Sequence, residues 1–401
     1  MTSTFWKWYE YSIKAICLLL PVAKRSKVRE QWLLLPVIYE KNNRSIPYFK
    51  KFRNYIVPSK CVLIVEPNHY HFEILPGFCQ YFKELGYDVH LISQPALLDD
   101  SPFIRCSEKP ETFYLSPKYQ KKALAHKKIK QYDWVFFSTS VLWEKAIRDS
   151  YPNWLSFLPQ SKYGVLMVEH NLFPYVEQYG HKKFIAEHRT FTLAGQHNVP
   201  MLNPHYFGGL SITPKGSKTT FSAVIHHEQN KDILFEACRK LITSSQTHFR
   251  VIILGRSVVK DIPADLLQHI EVTGKIKFSE FWAKYDQTDF IMTMLNPEIP
   301  AEQKYRNGTT TGSWQLMMGF RKPVLIHTDF ADFYRLHNEN AILYQQNEEL
   351  AETMSRCIAM TDPQYEAYQR NIKALASEIH EESLHNLRKV ITQHEGNSTF
   401  P

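Results

Sequence analysis

Three stretches of the chain combine residue types that could do chemistry. The first is GTTTGSWQLMMGFRKPVLIH, Gly308–His327. It sets Gly308, Thr309, Thr310, Thr311, Gly312 and Ser313 ahead of an apolar run with helical character. Hydroxyls and free N–H groups at a helix start suit an anion, and glycine lets the anion approach the backbone. The plain alternative is a polar turn with an N-cap. Lys304 and Arg306 lie just upstream and would bring positive charge, as would Arg256 at the end of FRVIILGRS. The second stretch is EPNHYHFE, residues 66–73, with Asn68, His69, His71 and Glu73 directly after a β-branched run. Imidazoles and carboxylates so placed suit polar recognition or general-base chemistry; the alternative is a helix capped by Asn68 with exposed histidines. His69 and His71 lack a third ligand at metal-site spacing, so no metal is expected. The third stretch is VEHN, which puts His170 at another strand end. His226 and His227 are adjacent in a strand pattern, so only one is expected to face a site. His205 and Tyr206, in NPHYFG, are expected to pack in a linker.

These residues need elements to hold them. From residue 60 onward short apolar runs alternate with helical patterns: CVLIVEPN, FEILPGFCQYFKELG, YDVHLIS, a basic helix near 118–131, WVFFSTS and YGVLMVEHN. The order is β-α-β-α, which predicts a parallel sheet with helices on both faces. Gly208, Gly209, Pro214 and Gly216 then cluster, and the pattern restarts at KTTFSAVIHHEQN. Strands follow at 249–257, 270–276, 290–296, 323–329 and 341–346, and helices at 347–360 and 363–393. Two such α/β halves bind ligands in the cleft between the carboxyl ends of their strands.

The chain has 401 residues, 44% of them hydrophobic and 14% aromatic, which suits two domains with sizeable cores. Its +8 charge is uneven: residues 1–60 hold twelve Lys and Arg against three Asp and Glu, a net of +9. A basic extension on a neutral body suggests a docking device. Trp6, Trp8 and Tyr9 stand among the lysines, as in helices that lie in a headgroup layer. Short helices broken at Pro21 and Pro36 are expected there, and packing on the protein's own body is the alternative. The apolar run Ala15–Ala23 is too short for a membrane span, and basic residues follow where a signal cleavage site belongs. Six cysteines without regular spacing suit reduced thiols in a cytoplasmic protein. Gly/Ser-rich basic repeats and groove-reading motifs are missing, which argues against nucleic-acid binding.

In order, HFEILPGFCQYFKELGYDVHLIS, NKDILFEACRKL, VIILGRS…IEVTGKIKFSEFWAKYDQTDFIMTML and the 308–327 segment resemble a GT-B glycosyltransferase of the family-4-like group, over residues 60–375. The resemblance implies two Rossmann-like doubly wound domains facing across a cleft. It divides the chain into a helical extension (1–58), an acceptor domain (59–212), a nucleotide-sugar domain (213–375) and a C-terminal helix and tail (376–401). Residues 308–312 would hold the donor diphosphate, Gln315 the ribose, and Gly274 and Lys275 the base. His170 would face the sugar, with Glu73 and His71 catalytic and Asn68 and His69 on the acceptor. The departures are specific: Gly308 and Leu316 stand where that group carries two glutamates, and Gln229-Asn230 where Lys-Asn is usual.

The resemblance therefore implies transfer of a sugar from a nucleotide-sugar co-substrate, without metal or other cofactor. The acceptor would be a growing surface glycan such as lipooligosaccharide or capsule, at the cytoplasmic membrane face. A nucleotide-sugar 2-epimerase of the same fold and a non-catalytic GT-B domain that binds a glycan or partner are the alternatives.

Overall fold

The computed structural model describes residues 22–68, 71–139, 160–170, 189–195, 198–210, 212–255 and 257–397, with side chains from residue 38 onward. The strands of the first half are β1 (Cys61–Val65), β2 (Asp88–Ser93), β3 (Glu111–Tyr114), β4 (Trp134–Phe137), β5 (Gly164–Glu169) and β6 (Thr190–Thr192). They pair in parallel in the order β3-β2-β1-β4-β5-β6. The second half repeats the plan with β7 (Thr219–Ala223), β8 (Phe249–Leu254), β9 (Ile270–Gly274), β10 (Phe290–Met292), β11 (Val324–His327) and β12 (Ile342–Tyr344). Its order is β12-β11-β10-β7-β8-β9, again parallel throughout. Each half thus has the doubly wound order 3-2-1-4-5-6.

Both faces of these sheets are covered, which is why β1 reads as five consecutive buried residues. The two halves share a device at the strand starts. One residue before β4, Asp133 accepts the Cys61 N–H at 2.9 Å. One residue before β10, Asp289 accepts the Thr220 N–H at 2.7 Å and the Gly216 N–H at 2.9 Å. Each buried carboxylate pins the start of its central strand.

Three expectations need correction. The basic segment is not one helix: Pro117–Leu124 is helical, and Lys127–Gln131 forms a separate 3-10 turn. His126 divides them, because its Nδ1 accepts the Lys128 N–H. Second, Pro36 does not break the extension. One helix runs Val22–Asn54 through Pro36 and Pro47. An internal proline costs a helix about 3 kcal/mol, and packing further along this helix outweighs that. Phe52 is fully buried against Phe113 at 5.2 Å, and the Ser45 hydroxyl accepts the Ser116 N–H. Ser45, Tyr48, Phe49, Phe52, Tyr55 and Val57 therefore pack into the first domain; Trp6, Trp8 and Tyr9 lie outside the described residues. Third, the C-terminal segment is one helix, Asp362–Asn397, and the boundary expected at 376 falls inside it. Its Tyr365, Ile372 and Ile379 pack in the second half, and its Leu387, Val390 and Ile391 in the first. Among the described residues no helix is long and apolar enough to cross a membrane.

The connecting segment passes tightly between the halves. Phe207 lies 5.1 Å from Trp282 and 5.6 Å from Phe320. A Cβ on Gly319 would lie 2.4 Å from the Phe207 ring, so only glycine admits this crossing.

Candidate active site

A cleft of about 590 Å³ opens between the two halves. Its walls are chain segments that follow the carboxyl ends of β1, β5, β7 and β10, together with the start of the Gly312–Phe320 helix. This is where the doubly wound order concentrates polar groups that the sheet itself cannot use.

On the first half's wall stand His71, Glu73 and His170. His71 is left-handed (φ 61°, ψ 26°), an uncommon state for a residue with a Cβ. Its Nδ1 lies 3.4 Å from Glu73 Oε1, and about a third of the imidazole remains exposed. Burial works against its charged form, but Glu73, with help from Glu66, outweighs it and raises the His71 pKa. His170 lies beside it, with ring centroids 4.9 Å apart. Burial, and then the neighbouring His71, push His170 down to about 3. A carbonyl can only accept, so His170 donates its Nε2–H to Ser138 O at 3.0 Å. This leaves its Nδ1 lone pair as an acceptor.

Behind this wall sits Glu66, fully buried at the end of β1. It accepts the Asn68 N–H at 2.7 Å and the hydroxyls of Ser138 (2.8 Å) and Thr139 (2.9 Å). Burial pushes its pKa up to about 7 in spite of those bonds. Glu66 thereby ties the loop that carries His71 to the segment that fixes His170. Asn68 is buried in this support and does not line the cleft. His69 lies outside the described residues.

On the opposite wall the hydroxyl-rich loop is largely accounted for. The N–H groups of Gly308 and Thr309 both donate to the Lys304 carbonyl. The Thr311 N–H donates to the Tyr334 hydroxyl, and the Thr311 side chain caps the helix through Ser313 N–H. Thr310 and Gly312 keep N–H groups with no protein partner among the described residues. Thr309 Oγ1 is likewise buried without a partner. These donors and Lys304 line the same cleft. Gln315 is buried and donates to Thr310 Oγ1 at 3.5 Å.

Two expected donor residues are placed elsewhere. Gly308 is outside the lining, with its N–H spent on Lys304. Arg306 pairs with Asp329 and lies over Phe330, because the Pro300–Arg306 3-10 turn directs it away. Lys275 lines an adjoining apolar chamber of about 340 Å³ with Phe207, Ile276, Phe278 and Phe281. The two cavities share Glu73, His226, Gly312 and Gln315 and so adjoin each other. Gly274 sits beside Lys275 in a left-handed turn (φ 62°) but does not line the chamber. Arg256 lies outside the described residues. His205 is buried beside Asn203, as a packing residue.

Both His226 and His227 line the cleft, where strand alternation predicted only one. The reason is that β7 ends at Ala223, so neither is in the strand. Glu302 was not anticipated. It is buried on the cleft wall and accepts the Asn296 N–H at 2.6 Å and Asn230 Nδ2 at 3.0 Å. His227 Nε2 stands 3.6 Å away. Burial raises the Glu302 pKa. Its only sequence signal is a pair of glutamates, Glu298 and Glu302, in the segment after β10. Among the described residues no group of three or more His, Cys, Asp or Glu is placed to hold a metal ion.

No protein-family model matches the chain, and no curated protein matches it. Solved structures do. The Anabaena protein Alr3699/HepE in complex with UDP and glucose matches with a TM-score of 0.50 at 12% identity, over 83% of this chain and 100% of that one. The glycotransferase of kitacinnamycin matches at 0.48 and 12%, over 85% and 100%. A UDP-N-acetylglucosamine 2-epimerase matches at 0.45 and 14%, over 79% and 91%. The shared property is the fold, two Rossmann-like domains across a cleft, which is GT-B.

Proposed function

We propose that the protein is a nucleotide-sugar-dependent glycosyltransferase. The observation that carries this reading is the pairing of two unlike walls in one cleft. One wall presents unpartnered donors on Thr309, Thr310 and Gly312 with Lys304; the other presents His71 held by Glu73. A nucleotide-sugar leaving group is a diphosphate whose negative charge grows as the glycosidic bond breaks. Donors fixed before the reaction stabilise that charge most. Lys304 and the loop donors supply this, so the proposed step draws on no metal. Gln315 binds the ribose and the Lys275 chamber the base.

The acceptor hydroxyl sits against His71. A histidine raised above its usual pKa by a carboxylate is a stronger base, and it acts from its neutral form. His71 takes the hydroxyl proton as the acceptor oxygen bonds to the anomeric carbon. The bond to the diphosphate breaks, and its electrons leave on the phosphate oxygen. His170, neutral and anchored on Ser138, orients hydroxyls of the sugar as an acceptor. Glu302, with His227 beside it, is a second polar hold on the sugar.

The acceptor we propose is a growing surface glycan, such as lipooligosaccharide or capsule, at the inner face of the cell membrane, with the enzyme peripheral on that face. The +9 charge of residues 1–60 supports this placement. The test is a screen of UDP-, GDP- and CMP-sugars for hydrolysis and transfer, with calorimetry on the free nucleotides. A glycosyltransferase binds one nucleotide class and consumes its sugar. Conversion of a donor alone to its epimer would replace this reading with epimerisation. No binding to any of the three would leave a non-catalytic domain.

A further inference from the structure

We infer that the exposed side of residues 38–54 of the Val22–Asn54 helix, together with the Pro117–Gln131 segment, is a docking surface for an anionic phospholipid bilayer. From residue 38 this helix has two distinct sides. Ser45, Tyr48, Phe49 and Phe52 recur at helical spacing and face the body. Tyr39, Ile46, Lys50 and Arg53 recur on an adjoining side, all exposed. The chain leaves the helix and presents Ile56, 87% exposed, the barest large apolar side chain among the described residues.

The lysine-bearing segment packs against this helix. Phe49 packs on Tyr119 at 5.4 Å, and Lys122 lies over the same Tyr119 ring. Lys128 Nζ donates to the Tyr55 carbonyl, which fixes Ile56 beside the 127–131 turn. Residues 117–131 hold six lysines and no Asp or Glu. Burial and then Arg53, Lys128 and Lys127 hold the His126 pKa down, so these cations share one neighbourhood.

Apolar side chains standing out among cations fit a headgroup layer. The lysines meet lipid phosphates while Ile56, Ile46 and Tyr39 enter the acyl boundary. A nucleic acid would use the charge but leave Ile56 in water. The position is also apt. β1 starts at Cys61 and β4 at Trp134, so Ile56 and the 127–131 turn lie at the strand-start edge of the first sheet. The cleft is at the opposite edge and stays open. The inference rests on the proposed function only for the reason that a membrane-borne acceptor makes docking useful.

The experiment is co-sedimentation of the full chain with phosphatidylglycerol–phosphatidylcholine vesicles and with pure phosphatidylcholine. Wild type should pellet with the anionic vesicles and less so as salt rises. The Lys121→Glu/Lys122→Glu/Lys127→Glu variant should lose at least ~100-fold in partition coefficient. Ile56→Ser should lose about tenfold, and the loss should persist at high salt. Lys118→Gln/Lys130→Gln gives a milder check should the triple variant melt early. All variants should keep the wild-type affinity for nucleoside diphosphate. Vesicle binding unchanged in both the lysine and Ile56 variants overturns the inference, with the cleft chemistry left standing. So does a polyanion such as heparin competing fully while Ile56→Ser binds vesicles as wild type does. Nucleotide binding absent from a wild type that still docks would instead remove the proposed activity and keep the surface.

Discussion

Replacing Gly312 with Asp should move stability and ligand affinity in opposite directions. Gly312 is the first residue of the Gly312–Phe320 helix, and a Cβ there would meet nothing within 4 Å. The carboxylate therefore has room, and it stands at the positive end of the helix. A negative charge in the first turn contributes about 0.3–1 kcal/mol, and leaving glycine adds a few tenths more. The melting temperature should hold or rise slightly. For a bound diphosphate the same charge is repulsive. With about two negative charges ~6 Å away and an effective dielectric of ~40, between protein surface and water, the repulsion is about 2.7 kcal/mol. That is ~100-fold in affinity. Calorimetric titration of Gly312→Asp with UDP and GDP, beside a thermal melt, reads both effects in one preparation. Gly312→Asn supplies the same shape without the charge and should lose at most tenfold. A folded Asp variant that binds nucleotide like wild type would remove the diphosphate from this loop. An Asn variant as weak as the Asp variant would show that bulk, not charge, is at work.

Other consequences can be measured separately. Glu73→Gln removes the carboxylate that raises His71, so the acid limb of kcat/KM should move to lower pH and the plateau kcat should fall, with nucleotide affinity unchanged; an unmoved acid limb refutes the pair. Phe52→Ala should cost about 3–5 kcal/mol in denaturant unfolding, because the ring is fully buried. A chain lacking residues 1–58 should then fail to fold, and a cooperative melt of that truncation would show that the helix is dispensable. Burial and then His380 push His205 down to about 4, below its unfolded value near 6.5. The unfolded state then binds the extra proton, so stability is lost as pH falls through that window, about 2 kcal/mol between roughly pH 6.5 and 5. His205→Gln should flatten that part of the pH–stability curve, and an unchanged slope would place the acid sensitivity elsewhere.

What could be read from the sequence divides along a physical line. Strands buried on both faces announce themselves, and β1, β5 and β8 appear as largely apolar runs because both of their faces are covered. The edge strand β3, ETFY, is short and half-polar and resembles a turn. Residues that follow strand ends are also legible: His71, Glu73 and His170 come to the cleft because the doubly wound order sends them there. Partner assignment is not legible. Whether Gly308 or Gly312 offers an N–H depends on the Lys304 carbonyl, which the Pro300–Arg306 turn aims at one and not the other. Arg306 is taken by Asp329, 23 residues on, and Glu302 gains its place from Asn230, 72 residues before it. Such contacts join residues that no local pattern relates. The extension shows the same division. Its charge summed over sixty residues gave one docking segment, whereas spacing at Ser45, Tyr48, Phe49 and Phe52 already marked an inward face. A net charge is a property of a whole segment; burial belongs to one side of a helix. The two coexist here because the lysines and arginine occupy the side that the aromatics leave free.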